Sequence, residues 1–396
     1  MPRVDSVASR PVEAGSSSKK RQLVHLTSLR GLAAWWVVLF HFKHYLAPYL
    51  PSWTLPLIVR GELAVDLFFC LSGFVLYLNY HGLTTTGQGL KSFYLKRFAR
   101  IYPLHFLVLL TYVAFVIAVV HFSTAHNGGS RYSPVKLVAQ ILLVQDWGFG
   151  ALSWNVPSWS ISAEFAAYLA FPLLLRSLKC DRSGNTRLIL YAATAAATLI
   201  AVFGGLHSEL GAHINELGVL RCLFQFIIGM TIGEMYLRWT SPRHGVSALL
   251  VAAAGTMLIL VLIWGFWSAL VIPVAWACLI AGFAFDHGII ARVFSIRPLV
   301  ALGEWSFATY MCHYLFYEVF VILWVRSDMT APGLAVIATL LSIALCSAFL
   351  YRFVERPCQS WVLRAPARFR SSLRHASPLL DDPTAVSPVR PEASAR

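Results

Sequence analysis

Apolar residues gather in this chain in stretches of about twenty, parted by short polar, basic or glycine- and proline-containing breaks. These stretches fall at 25–46, 62–80, 98–121, 160–178, 187–206, 216–237, 246–266, 268–285, 299–324 and 331–353. A helix needs about 20 residues to cross the hydrocarbon core of a bilayer, so each stretch predicts a transmembrane helix. A further run at 134–147, PVKLVAQILLVQDW, is too short and is expected in the membrane interface. It leads into a Trp- and Gly-rich loop from Gly148 to Trp159. The expected fold is an all-α polytopic integral membrane protein of about ten transmembrane helices.

The breaks alternate in charge. Lys19, Lys20 and Arg21 precede the first stretch; Lys91, Lys96, Arg97 and Arg100 follow the second; Arg176, Lys179, Arg182 and Arg187 follow the fourth. The sixth, eighth and tenth are likewise followed by arginines, whereas the intervening breaks hold only Arg60, Arg131 with Lys136, and Arg326. Basic loops stay on the cytoplasmic side, which predicts an even number of spans with both termini cytoplasmic. Residues 1–22 are polar, Ser-rich and basic, without the apolar core of a cleavable signal peptide. Residues 359–396 are rich in Pro, Ser, Ala and Arg, so both ends are expected to be disordered cytoplasmic tails around a transmembrane domain at 23–358.

Composition agrees: 58% of residues are hydrophobic and 13% charged, where soluble domains carry about 25% charged residues. The net charge of +14 sits between apolar runs as a topology signal would, and no nucleic-acid-binding pattern accompanies it. Seven cysteines are scattered without a CxxC pair, so neither a disulfide framework nor a metal site is expected.

Against this background the few ionisable residues inside apolar runs carry the chemical signal, because such groups are costly in a bilayer and usually turn inward. The run SLRGLAAWWVVLFHFKHYL places Arg30 and His41 eleven residues apart. Eleven helical steps return to within about 20° of the starting direction and advance roughly 16 Å, so both leave one face with Ala34, Val37 and Tyr45. That face predicts a shared polar cavity. RGELAVDLFFCLSGFVLYL puts Asp66 one turn from Glu62, where it supports structure or pairs with a cation. Arg97 and Arg100, at i and i+3 in KSFYLKRFARIYPLHF, share a face and offer forked donors suited to phosphate oxygens. Pro103 just beyond them is expected to bend or break the helix and open a polar access. In VPSWSISAEFAAYLAFPLL, Glu164 follows Ser158, Ser160 and Ser162 and needs a partner, Arg30 or His41. Late in the chain, GEWSFATYMCHYLFYE aligns Ser306, Tyr310 and His313, with His313 read as a supporting, packing histidine. YRFVERP closes the last helix. No P-loop, GxSxG elbow, HExxH or GxGxxG stands in a credible context.

These motifs, in this order, resemble the membrane-bound acyltransferase family 3, whose members O-acylate cell-surface sugars. The matching pieces are LRGLAAWWVVLFHF, GELAVDLFFCLSGFVL, KRFARIYPL, VPSWSISAEFAAYLAFP, SFATYMCHYLF and YRFVERP, and they cover essentially the whole membrane region. The resemblance implies that His41 is the essential histidine of an Arg-x10-His element with Arg30. It implies that Arg97 and Arg100 hold acyl-CoA phosphates and that Glu164 is the acidic position of the fourth-span motif. Asp66, Ser160 and His313 then support the site. The implied activity is transfer of an acyl group, acetyl by default, from acetyl-CoA to a hydroxyl of an exopolysaccharide, lipopolysaccharide or lipid-linked oligosaccharide, in the bacterial inner membrane. His41 acts as general base or as transient acyl carrier. Many relatives carry an extracytoplasmic hydrolase-like domain; the polar tail here is too short for one, which leaves the chain to act alone or with a separate periplasmic transferase. The competing class is a transporter or flippase of a glycan or lipid intermediate, with Arg30, Asp66 and His41 as a relay; no repeat of the kind that marks inverted-repeat transporters is visible.

Overall fold

With little water to satisfy backbone amides, a long apolar segment closes its hydrogen bonds within itself, and helices account for the architecture. The computed structural model describes residues 23–84, 87–122, 130–179, 185–206, 213–239, 244–264, 268–285 and 288–363. No strand occurs among them. The helices used below are α1 Val24–His41, α2 Ala64–Tyr80, α3 Gly87–Phe122, α4 Pro134–Ile141, α5 Trp159–Lys179, α6 Asn185–Gly205, α7 Ile214–Arg238, α8 His244–Trp264, α9 Ser268–Phe285, α10 Arg297–Glu304, α11 Ser306–Trp324, α12 Gly333–Leu350 and α13 Arg356–Leu363. Each of the ten expected stretches is occupied by a long helix.

Seven helices among the described residues are long and apolar enough to cross a membrane: Ser52–Tyr80, Gly87–Phe122, Val156–Leu178, Ile214–Arg238, Gly245–Ile263, Ser306–Trp324 and Gly333–Trp361. Leu190–Phe203 and Val271–Phe285 are apolar but shorter. α1 is not among the seven, because His25, Arg30 and His41 make it more polar. The expected tails at 1–22 and beyond 363 lie outside the described residues, and α13 carries the ordered chain past position 358 to Leu363.

Two features depart from expectation. α3 runs unbroken through Pro103: the proline removes one donor from the ladder, but thirty-six residues of helix around it hold the element together. The 134–158 region also does more than lie in the interface. After α4 the chain folds inward as irregular backbone whose polar groups are met by buried side chains. Gln140 Nε2 donates to the Ser153 carbonyl at 2.7 Å, and the Ser158 hydroxyl donates to Gln140 Oε1 at 2.7 Å. Gln145 Nε2 donates to the Ser158 carbonyl at 2.9 Å and Asn155 Nδ2 to the Met311 carbonyl at 3.0 Å. Non-helical backbone at such depth is tolerated only when enclosed by protein. These amides enclose it, and they deliver Pro157, Ser158 and Ser160 to the middle of the bundle.

α2 and α7 form the tightest helix pair. A Cβ on Gly73 would overlap the Phe226 carbonyl oxygen, and one on Gly229 would overlap that of Cys70. Small residues let the two backbones meet. In the same seam Arg221 Nε and Nη2 donate to the two Asp66 oxygens at 2.7 and 2.6 Å, with both side chains fully buried. Gln225 Nε2 adds a bond to Asp66 at 3.3 Å, and the Arg221 guanidinium lies over the Trp159 ring. Asp66 therefore pairs with a cation supplied by α7.

Candidate functional site

Two cavities of the bundle are linked by ring contacts through His41 and His313, and a third, lined by Asp146 and Asn215, lies apart from them. The first, about 110 Å³, is lined by Arg30 of α1, Ser72 of α2, Arg97 and Arg100 of α3, Ser160, Glu164 and Tyr168 of α5, and Ser306 and Tyr310 of α11. Every one of these sits on a helical face that the i, i+3, i+4 spacing turns inward. Five separate sequence motifs thus meet in one space.

Its charge comes from three guanidiniums set among carboxylates. Arg97 is buried; it donates to the Tyr80 hydroxyl at 3.2 Å, and its guanidinium faces the Tyr80 and Tyr168 rings at 5.3 and 5.9 Å. Arg100 pairs at 3.4 Å with Glu355, a buried carboxylate that also lies within electrostatic reach of Arg30. Glu355 stands at the end of a five-residue π-helical turn, Tyr351–Glu355, that joins α12 to α13. Three guanidiniums therefore face the carboxylates Glu164 and Glu355. The Glu164 carboxylate accepts hydrogen bonds from the Ser72 and Tyr168 hydroxyls; Arg30 lines the same cavity within electrostatic range of it, and His41 does not.

His41 closes α1, and the chain turns at Phe42 into a short helix at Lys43–Leu46. Its ring centroid is 5.1 Å from His313 and 4.9 Å from Tyr314. His313 is fully buried, and its Nδ1 is 2.8 Å from the Tyr310 carbonyl and 3.2 Å from that of Thr309. A carbonyl only accepts, so Nδ1 carries the proton and Nε2 is the basic nitrogen. That Nε2 is buried without a hydrogen-bond partner. His313, read from the sequence as a supporting, packing histidine, is the ring neighbour of His41. It also connects to the first cavity, because its ring is 5.8 Å from that of Tyr310. The Tyr310 hydroxyl in turn donates to the Pro157 carbonyl at 3.0 Å and lies 2.7 Å from Ser160 Oγ. Arg30 and His41 thus do not share one cavity: Arg30 lines it, and His41 reaches it through His313 and Tyr310.

On the other side of His41 lies a second cavity of about 380 Å³, lined by Tyr314, Tyr317 and Glu318 of α11, Arg131 and Tyr132 of the turn before α4, and the end of α3. Arg131 pairs with Glu318 and donates to the Trp154 carbonyl at 2.7 Å. Sequence reading did not select Glu318 or Arg221, although each is a charged residue inside an apolar run and carries the same signal that marks Asp66. Tyr168 and Glu355 were not legible in that way, since their partners come from distant segments. No cluster of three His, Cys, Asp or Glu suited to a metal occurs among the described residues.

Comparison with known proteins adds an independent line. A family model described as "Acyltransferase domain" matches residues 24–351. The Acyltransferase MdmB of Streptomyces mycarofaciens is 32% identical over 379 residues, covering 85% of this chain and 92% of that protein. The Peptidoglycan O-acetyltransferase OatA of Listeria monocytogenes is 23% identical over 369 residues, and the chain spans 56% of its length. "Protein 2 in picA locus" of Rhizobium radiobacter is 38% identical over 103 residues, 26% of this chain and 50% of that protein. No solved structure matches.

Proposed function

From the premise that this chain belongs to the acyltransferase-domain family and is a multi-pass membrane acyltransferase, we propose that it transfers an acyl group from acyl-CoA to a hydroxyl of a glycan, with His41 at the point of transfer. The observation that carries this is the placement of His41 and His313 between an arginine-lined cavity and a tyrosine-lined one. A transporter needs no such division of chemistry, and the family places the chain among enzymes.

The arginine cavity is the donor end. Arg97 and Arg100 suit the phosphates of coenzyme A because a guanidinium gives two parallel donors to neighbouring oxygens. The charge alternation of the loops puts this end in the cytoplasm, where acetyl-CoA is available, and both termini with it. Arg30 lies roughly 16 Å along α1 from His41, too far for both to act on one carbonyl. Arg30 therefore serves the donor and holds Glu164 in place, while the pantetheine arm covers the distance past Tyr310 and Ser160. At the far end a ring nitrogen of His41 takes the proton of the acceptor hydroxyl as its oxygen bonds to the thioester carbonyl carbon. The carbon–sulfur bond then breaks, and the proton passes to the departing thiolate, giving the O-acyl product and free coenzyme A. In the acyl-carrier version His41 first receives the acyl group itself. His313 Nε2, fixed as an acceptor beside His41, serves to orient the other ring N–H of His41 without taking its proton.

A glycan acceptor is supported by the peptidoglycan O-acetyltransferase among the relatives and by the tyrosines beyond His41, whose rings and hydroxyls suit sugar faces and edges. A bacterial inner-membrane location follows from the same reading. The deciding experiment measures O-acetyl content of extracellular glycan in host cells carrying wild type, His41→Ala or Arg97→Ala at matched membrane expression. Restoration by wild type and loss with His41→Ala is expected. Full acylation with His41→Ala would sink the mechanism.

A further inference from the structure

The second cavity has two unlike walls. One is polar and aromatic. The Tyr132 hydroxyl donates to Glu318 at 3.1 Å, and the Arg131 guanidinium, paired with the same carboxylate, lies 5.0 Å from the Tyr132 ring and 5.4 Å from that of Tyr314. Tyr317 stands 5.3 Å from Tyr314 and 6.2 Å from His41, measured between ring centroids. The Tyr112 hydroxyl, also within electrostatic range of Arg131 and Glu318, is buried with no hydrogen-bond partner. The opposite wall carries no polar group: it consists of Phe115, Val116, Val119 and Val120 of α3 with Val321 and Ile322 of α11. Val120 is 58% exposed and Ile322 56% exposed, so this wall is continuous with the outer, lipid-facing surface of two spanning helices. Exposed apolar side chains of α3 and α11 therefore lead from the cavity to that surface.

A soluble sugar polymer would use the polar wall and leave the valine wall without an apolar partner of its own. A molecule with a hydroxylated head and an apolar body matches both walls. We propose that the acceptor is an amphiphile that enters laterally from the outer leaflet. Its hydroxylated head rests on Tyr314, Tyr317 and the Arg131–Glu318 pair, and its apolar body lies against Val116, Val120 and Ile322. The head then presents one hydroxyl to His41. This inference rests on the reading of His41 as the point of transfer and adds the chemical class of the acceptor and its route.

The test uses full-length protein in membrane vesicles and a photoactivatable decyl glucoside with the reactive group at the end of its chain. Label is expected on the 113–122 and 317–322 segments. Submicellar octyl glucoside should suppress it about tenfold or more better than methyl glucoside, since each methylene removed from water adds affinity. Ile322→Trp, a change at an exposed position that narrows the lateral route without disturbing the core, should abolish both the label and the chain-length preference. Glu318→Gln should weaken the label while leaving the preference. Equal competition by the two glucosides would overturn the proposal, as would label spread over lipid-facing helices and indifferent to Ile322→Trp. His41→Ala is run alongside: it should retain the label and lose acyl transfer. Retention of both would refute the transfer reading and leave the binding result standing.

Discussion

The two cavities on either side of His41 are built from different materials. The first is small, with three arginines set against two carboxylates, and its partners come from α1, α2, α3, α5, α11 and the turn after α12. The second is larger, with one ion pair, three tyrosines and a hydrocarbon wall. On the proposed function, the first serves a fixed, highly charged donor and the second reads ring faces, hydroxyls and apolar surface, the features by which acceptors differ. In a family with varied acceptors, sequence variation should therefore concentrate at the second cavity.

Four outcomes would sharpen or break that contrast. The largest concerns the group between the cavities: His41→Ala should lower acyl transfer by roughly 10²–10⁴-fold, the usual worth of a positioned acid–base group. Affinity for acyl-CoA, read by equilibrium binding, should stay unchanged. Loss of binding instead would move His41 into the donor site. Next, Arg97→Ala and Arg100→Ala should each raise the KM for acetyl-CoA by about 10–100-fold, as expected for a charge-assisted hydrogen bond worth ~1.5–3 kcal/mol. Neither should affect turnover of an acetyl-pantetheine donor that lacks the nucleotide phosphates. Equal damage with both donors would show that the arginines hold the fold rather than the phosphates. Tyr317→Ala should raise the KM for acceptor several-fold, in line with ~0.5–1.5 kcal/mol for an aromatic contact, with the donor KM constant.

The smallest effect belongs to a residue that lines neither cavity. Asp146, in the irregular segment before α5, is buried, and its carboxyl oxygens have no hydrogen-bond partner. Burial raises its pKa to about 8, with Arg221 opposing the shift. An unfolded aspartate titrates near ~3.9, so between about pH 4 and pH 8 the native state holds more proton than the unfolded one. Stability from this group is present at the acid end and is lost as pH rises through its folded pKa. Asp146→Asn should flatten the fall in thermal stability of the detergent-solubilised protein between about pH 5 and about pH 9. Its acyl-transfer kinetics should match wild type. A slope unchanged by the substitution would place the pH sensitivity elsewhere.

Much of this arrangement could be read along the chain, for a physical reason. Within one helix, spacing decides which side chains share a face, so Arg97 with Arg100 and Ser306 with Tyr310 were legible together. Charged residues in apolar runs announced Arg30, Asp66 and Glu164, because the bilayer makes such groups expensive. Pairings between helices were not legible. Asp66 meets Arg221 across 155 positions of sequence, and His41 meets His313 through the topology of the whole bundle. The inward-folded 142–158 segment escaped as well. Its serines and Gln145 look like those of any loop until the burial of Gln145, and of Gln140 in α4, shows that they replace water as partners for its backbone.

The π-helical turn at Tyr351–Glu355 has a consequence for insertions and deletions. A turn of this kind carries one residue more than the α-helix it interrupts, and that residue sets the angular phase of everything after it. Deleting one residue between Tyr351 and Val354 would let α12 continue as a regular helix with Glu355 near its present angle, whereas straightening the turn at full length would swing Glu355 by about 100°. In the second case the carboxylate beside Arg100 would be lost without any change in the residue that bears it. At this place in the chain the width of one helical turn, and not only residue identity, specifies the charge beside the arginine cavity.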